Sequence, residues 1–132
     1  MVSLELDAKF DSFIKLRESI FYYLQKFNFS NNSVSEVLLV AEEIFTNIIR
    51  HSYKGECNEP IYVTFYVSNS TLYMTFKDKG EKVDELKIPN SLIELKGKVG
   101  GLGLYLISKL SDSYGYKHSE NWNINFIEKN LT

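Results

Sequence analysis

Residues 43–51 read EIFTNIIRH, and this stretch decides how the chain folds. Its apolar residues continue a stripe that begins at Val34 and recurs at the period of an α-helix with one buried face. Glu43, Asn47 and His51 follow one another at intervals of four and fall within about 80° of each other on another edge of that helix. The segment is predicted to be a core helix that presents a polar line to one ligand. Taken alone, such a line is also typical of an ordinary solvated helix face.

Two β-rich segments follow the helix and are predicted to form a hairpin. Residues 61–67 and 71–76 are rich in β-branched and aromatic side chains, and Asn69-Ser70 lies between them. The second strand runs directly into residues 78–80, which read Asp-Lys-Gly. This order places the Asp78 carboxylate at the end of a strand, where the backbone is fixed and a ligand can approach.

A glycine-rich segment is predicted to open a third helix. Residues 100–106 read GGLGLYL, and glycines remove side chains where a phosphate must approach the backbone. The unpaired amides and the dipole at a helix N-terminus favour anions there. Residues 81–99, before this helix, are polar and keep no sustained period, so they are predicted to form a mobile lid.

The remaining elements complete an α+β pattern. A strand is predicted at residues 2–6, a helix from residue 10 onward, and a closing hairpin at residues 114–118 and 122–127 with Ser119-Glu120 as its turn. The core helix is expected to begin at Ser33, which can form a capping box with Glu36. The element order predicts one domain over residues 1–132, a two-layer sandwich of a mixed or antiparallel sheet with helices on one face.

Composition excludes several classes of protein. The formal net charge is -2 and no run of five or six like charges occurs, so a direct nucleic-acid partner is not expected. The longest apolar run, residues 37–41, is far below the ~20 residues that span a bilayer, and we expect a cytoplasmic protein without a membrane partner. The single cysteine, Cys57, cannot form an internal disulfide.

The three motifs together resemble those of the GHKL, or Bergerat-fold, ATPase superfamily. Glu43-x-x-x-Asn47-x-x-x-His51 is similar to its N box, Asp78-x-Gly80 to its first glycine box and Gly101-Leu102-Gly103-Leu104 to its second. The predicted lid lies in the expected place between the two glycine boxes. The chain has no room for the phosphoacceptor or transducer domain of other superfamily members. Within the superfamily, its three segments resemble most those of the bacterial anti-sigma-factor serine kinases.

The resemblance implies a role for each motif residue in binding ATP or ADP with Mg²⁺. Asp78 would accept a hydrogen bond from the adenine amino group, and Gly80 would let the base lie close to the chain. Asn47 would coordinate Mg²⁺ through its amide oxygen, a ligand type that this cation accepts. Glu43 is the candidate general base.

The same resemblance assigns phosphate binding to the start of the third helix. Its residues there are Gly101, Leu102 and Gly103. Lys96 and Lys98 in the lid could reach the terminal phosphate or be simply solvated, and His51 could brace the helix or touch ligand. Lys82 stands where many superfamily members have a further glycine, which would stiffen the start of the lid.

The implied function is that of an anti-sigma factor with serine protein kinase activity. Such a protein sequesters a sigma factor and transfers the γ-phosphoryl group of ATP to a serine of a small anti-sigma-factor antagonist. A homodimer is plausible from the resemblance alone. The alternative is a binding module that uses the nucleotide to switch partners without any phosphoryl transfer, since binding and catalysis share every motif residue except Glu43.

Overall fold

The computed structural model describes residues 1–83 and 101–132. These residues form five strands and three α-helices, with a short 3-10 turn at Phe10–Ser12. The elements, in chain order, are β1 (Val2–Asp7), α1 (Phe13–Leu24), α2 (Asn31–Asn47), β2 (Pro60–Ser68), β3 (Thr71–Asp78), α3 (Gly101–Leu110), β4 (Ser113–Ser119) and β5 (Trp122–Asn130). Most of the predicted lid, residues 84–99, lies outside the described residues, and so do Lys96, Lys98 and Gly100.

The strands form one antiparallel sheet in the order β1-β2-β3-β5-β4. The β2–β3 hairpin turns at Asn69 and Ser70, as predicted, and both residues have positive φ (51° and 62°), as a type I′ turn requires. The closing hairpin turns one residue later than predicted, at Glu120 and Asn121, whose φ values are 53° and 71°. The α+β prediction is confirmed, and of its two sheet alternatives the antiparallel one is correct.

The core lies between one face of this sheet and the helices. Alternate residues of the central strands are fully buried, while their neighbours on the other face remain partly accessible. This alternation is expected of a sheet that is covered on one side only. The buried set includes Ile61, Val63 and Phe65 of β2, Leu72, Met74 and Phe76 of β3, Leu16 and Ile20 of α1, Ala41 and Phe45 of α2, and Ile107 of α3.

The start of α2 differs from the prediction. The helix begins at Asn31 with Ser30 as its N-cap, and the Ser30 hydroxyl accepts from the backbone N–H of Ser33 at 3.1 Å. Glu36 therefore takes no part in a capping box at Ser33. Its carboxylate instead accepts from the Lys129 ammonium at 2.7 Å, a contact between α2 and β5.

The end of α2 widens into a π-helical turn at Ile48–Ser52. Its signature is the hydrogen bond from Tyr53 N–H to the Ile48 carbonyl, five residues back, at 3.1 Å. The wider turn changes which side chains follow Asn47 along the helix edge. Ser52 is buried, only 3% exposed, whereas His51 lies exposed to solvent.

Candidate functional site

Asp78 is the buried acidic group of the site. It is the last residue of β3, it is 0% exposed, and it lies opposite Ile61 on one neighbouring strand and Asn123 on the other. Its Oδ1 accepts from the Ser52 hydroxyl, from the Gly80 N–H at 2.9 Å and from the Asn123 amide at 3.0 Å. Its buried Oδ2 has no hydrogen-bond partner among the residues that the structure describes. One carboxylate oxygen is thus saturated and the other is left for a donor that the described chain does not supply.

Ser52 reaches Asp78 because of the π-helical turn. The turn buries the Ser52 side chain at the end of β3, where its hydroxyl contacts Oδ1. The Ser52 carbonyl also accepts from the Glu81 N–H at 2.9 Å. Sequence reasoning missed Ser52, because a continuing α-helical period favoured His51 as the next residue on this edge.

Gly80 fits tightly against Ser52. A Cβ atom at position 80 would lie 2.5 Å from the Ser52 carbonyl oxygen, closer than real Cβ contacts come. The glycine is therefore required by a contact within the protein. Its predicted role of letting a base lie close to the chain stays a prediction.

Asn123 was also missed by sequence reasoning, since it lies in a strand with no motif around it. Its side chain is 1% exposed, and its Nδ2 lies at hydrogen-bond distance from Ser52 Oγ (2.9 Å) and the Glu81 carbonyl (3.0 Å) as well as from Asp78. Only the register between β3 and β5, which pairs Asp78 with Asn123, reveals the contact. No local signal in the sequence could have found it.

A second cluster lies where α2 meets the first turn of α3. A Cβ atom at Gly103 would lie 2.5 Å from Glu43 Oε2 and 3.5 Å from Asn47 Nδ2. The polar edge of α2 therefore faces the glycine-rich start of α3, and both side chains are half-buried there. Asn47 and Ser52 are separated by about 7.5 Å along the helix axis, so this cluster and Asp78 are neighbouring parts of one site.

The other predicted residues are placed as follows. Gly101 and Leu102 open α3, which confirms the helix that the glycine segment predicts. Glu42 is exposed and does not share the position of Glu43. Lys82 is exposed, and His51 is exposed rather than aligned with Asn47.

Tyr53 braces the chain on both sides of Asp78. Its hydroxyl donates to the Pro60 carbonyl at 2.6 Å and accepts from the Lys79 N–H at 3.1 Å. Burial raises the pKa of this hydroxyl to about 12, against the smaller lowering effect of the Lys79 hydrogen bond. The residue after Asp78 is thus tied to the start of β2.

The described residues fit an adenine nucleotide at two points. An ionised carboxylate oxygen can only accept, so Asp78 Oδ2 matches an amino group and opposes a carbonyl. The start of α3 carries no side chain at Gly103, where a Cβ would lie only 2.5 Å from Glu43 Oε2. No group of three or more His, Cys, Asp or Glu side chains in the described ranges could hold a metal by itself. The role of Asn47 as a ligand to Mg²⁺ stays a prediction, which agrees with the oxygen ligands that this cation accepts.

Within residues 1–83 and 101–132, no helix is long and apolar enough to cross a bilayer.

The profile of a family described as the histidine kinase-like ATPase domain matches residues 6–125. A relative named serine-protein kinase RsbW, from Listeria innocua, is 27% identical over an alignment of 128 positions that covers 90% of this chain and 80% of the relative. A Bacillus cereus protein of the same name is 26% identical over an alignment of 133 positions that covers 90% of this chain and 78% of that protein.

Solved structures share the fold. A chain with the RsbU and RsbW domains of a Mycobacterium tuberculosis protein superposes with a TM-score of 0.70 at 14% identity. The match covers 99% of this chain and 33% of that one, so the present chain spans about a third of that solved protein. The catalytic domain of the histidine kinase ThkA superposes with a TM-score of 0.56 at 18% identity and is covered almost completely, at 99%.

Proposed function

The chain belongs to the histidine kinase-like ATPase domain family, and from this premise we propose that it is an ATP-dependent serine-protein kinase that acts as an anti-sigma factor. The observation that carries the proposal is the juxtaposition of Glu43 with Asn47 and Gly103, beside a buried carboxylate that has one oxygen without a partner in the described part of the chain. The relatives named serine-protein kinase RsbW support the choice of serine as the acceptor.

The adenine nucleotide is recognised at Asp78. Its Oδ2 accepts from the 6-amino group, which guanine lacks at this position. Ser52, Gly80 and Asn123 saturate Oδ1 and so keep the carboxylate in place. A buried hydrogen bond to a charged group is worth about 1.5–3 kcal/mol, enough to discriminate between bases.

The phosphates bind at the start of α3. The backbone amides of Gly101, Leu102 and Gly103 are among the unpaired donors of the first helical turn, and the helix dipole adds to their attraction for an anion. Asn47 offers its amide oxygen to Mg²⁺. When bound there, Mg²⁺ would supply positive charge that offsets the negative charge developing on the phosphate oxygens during transfer.

Glu43 acts on the acceptor serine. Its carboxylate takes the proton of the attacking hydroxyl as the oxygen forms a bond to the γ-phosphorus and the bond to the leaving ADP breaks. A positioned general base accelerates such a step by about 10²–10⁴-fold. Its place beside Gly103 keeps this base next to the phosphate-binding amides.

The partners follow from the same proposal. The chain binds a sigma factor and phosphorylates a serine of a small anti-sigma-factor antagonist, and nucleotide state decides which partner it holds. We propose that it acts in the cytoplasm, where sigma factors act; a homodimer stays a prediction from the family resemblance.

The test is transfer of labelled phosphate from γ-labelled ATP and Mg²⁺ to a purified anti-sigma-factor antagonist, with phosphoserine identified by mass spectrometry. We expect Glu43→Gln to lower the transfer rate by at least about 100-fold while ADP affinity is retained. Glu42→Gln is the matched control, since Glu42 is adjacent but exposed, and its transfer rate should equal that of the wild type.

Two results would argue against the proposal. Unchanged transfer by Glu43→Gln removes Glu43 as the base. Tight ADP binding by the wild type without transfer to any antagonist serine leaves a nucleotide-dependent partner-switching module instead of a kinase.

A further inference from the structure

Two tyrosine–asparagine pairs lie side by side on the inner face of the β4–β5 hairpin. Tyr114 donates its hydroxyl hydrogen to Asn125 Oδ1 at 2.7 Å, and Tyr116 donates to Asn123 Oδ1. The tyrosines are half-buried and both asparagines are buried, at 8% and 1% exposure for Asn125 and Asn123. The pairs have the same chemistry, yet only the second one contacts the site.

Tyr116 fixes the orientation of the Asn123 amide. The Tyr116 oxygen accepts from the Val83 N–H at 3.0 Å, and its single hydrogen goes to Asn123 Oδ1. The ring nitrogen His118 Nδ1 lies 3.1 Å from the same oxygen. With its carbonyl oxygen engaged on this side, the amide must turn its two N–H hydrogens toward Asp78.

The Asn123 nitrogen faces four oxygens. They are Ser52 Oγ (2.9 Å), Asp78 Oδ1 (3.0 Å), Gly80 O (3.1 Å) and Glu81 O (3.0 Å). Two hydrogens are shared among these acceptors, so the amide joins the carboxylate to the backbone that follows it. Asp78 Oδ2, by contrast, receives nothing from this amide.

We propose that Asn123, oriented by Tyr116, is a positioning residue that aims the free oxygen of Asp78 at the base and thereby determines the selectivity for adenine. The inference rests on the proposed function, because it assumes that a nucleotide binds at Asp78. Without the Asn123 amide, the carboxylate can turn about its terminal bond and share the remaining donors between its two oxygens. The repulsion between the Asp78 carboxylate and the oxygen of a 6-oxo base is then weaker. The affinity ratio that favours a 6-amino base therefore falls.

The experiment compares two ligands, ADP and inosine diphosphate, which differ in the 6-substituent and the N1 proton of the base. Calorimetric titration gives the affinity ratio for the wild type and for Asn123→Ala and Tyr116→Phe. The controls are Asn125→Ala and Tyr114→Phe, which remove the equivalent groups of the neighbouring pair. Thermal unfolding confirms that each variant is folded at the titration temperature.

We expect the wild type to favour ADP by at least about tenfold, as a hydrogen bond to a charged group allows. Asn123→Ala should bring the ratio to about threefold or less, and Tyr116→Phe should lower it by about threefold, because losing one orienting hydrogen bond is a smaller change. Both control variants should keep the wild-type ratio. If Asn123→Ala does not fold, the ratio measured for Tyr116→Phe decides.

A merely structural role would give a different result. Both affinities would then fall together in the Asn123 and Tyr116 variants, and an unchanged ratio would overturn the inference while leaving nucleotide binding intact. A wild type that binds both ligands equally would also overturn it. Failure of the wild type to bind either diphosphate would contradict the proposed function itself, and the inference with it.

Discussion

Two buried charged side chains lie at opposite ends of α2, and they are partnered in different ways. Lys129, 7% exposed, donates to Glu36 Oε2 at 2.7 Å near the start of the helix and to the Leu110 carbonyl at the end of α3. Asp78, beyond the other end, has one oxygen with three donors and one with none in the described chain. The first charge is satisfied by the protein and holds elements together.

Asp78 lacks one hydrogen-bond donor in the described part of the chain. A buried acceptor without a donor disfavours the folded state by about 1–3 kcal/mol, and a ligand that supplies the donor recovers this energy. Such an atom deserves an explanation wherever it occurs in a folded protein. Incomplete hydrogen bonding of a buried charge, more than burial itself, therefore marks the ligand-binding end of α2.

The largest effect on the free energy of unfolding is expected from a substitution at Gly80, which contacts Asp78. Gly80→Ala would place a Cβ 2.5 Å from the Ser52 carbonyl oxygen, a backbone atom that cannot move aside. We expect a loss of about 3 kcal/mol in the free energy of unfolding, at the upper end for overpacking, measured by urea denaturation.

Gly103→Ala is the matched comparison for that variant. There the Cβ would meet Glu43 Oε2, also at 2.5 Å, but this atom ends a flexible side chain. Stability should fall by less than about 1 kcal/mol, while phosphoryl transfer is lost because Glu43 is displaced. Equal destabilisation by the two substitutions would contradict the interpretation of Gly80 as a structural glycine and Gly103 as a functional one.

A loss of stability smaller than that of Gly80→Ala is expected from Lys129→Met. Glu36 is 42% exposed and can return to water, so the loss should be about 2 kcal/mol, below the usual range for a broken buried pair. ADP affinity should stay at the wild-type value. Lys54→Met is the control, because the Lys54–Glu81 pair, at 2.8 Å, is exposed on both sides (66% and 68%) and its removal should leave unfolding unchanged. A loss of ADP affinity in Lys129→Met would show that the two ends of α2 are not independent.

A pH-dependent effect is expected at Tyr53 under alkaline conditions. Burial raises its pKa from 10.0 to about 12, so the folded state favours the neutral hydroxyl. The stability that this preference contributes is fully present below pH 10 and is lost as the pH rises from about 10 to about 12. Tyr53→Phe should flatten that part of the pH dependence of unfolding. If the free energy of unfolding falls equally steeply with pH in the wild type and in Tyr53→Phe, groups other than Tyr53 cause the loss of stability at alkaline pH.

The sequence was sufficient for the elements that carry the motifs. The helix with Glu43 and Asn47, the strand that ends at Asp78 and the helix that Gly101 opens all follow local periodicity, and the structure contains each of them. Local patterns work here because each of these elements buries one face against the same core.

The sequence was insufficient where distant contacts decide. Ser30 caps α2 in place of Ser33, and Glu36 is engaged by Lys129, which is 93 positions away. The π-helical turn that buries Ser52 and exposes His51 has no signature in the residue period. Asn123 enters the site only through the strand register.

The most direct experiment tests whether Asp78 recognises the base of the nucleotide. It is a calorimetric titration of the purified wild type and the Asp78→Asn variant with ADP, in the presence and absence of Mg²⁺. We expect ADP to bind the wild type, Mg²⁺ to strengthen binding, and Asp78→Asn to weaken it by at least about tenfold while the fold is kept. Equal ADP affinity in the folded Asp78→Asn variant and the wild type would contradict the claim that the unpartnered oxygen of Asp78 is the base-recognising atom.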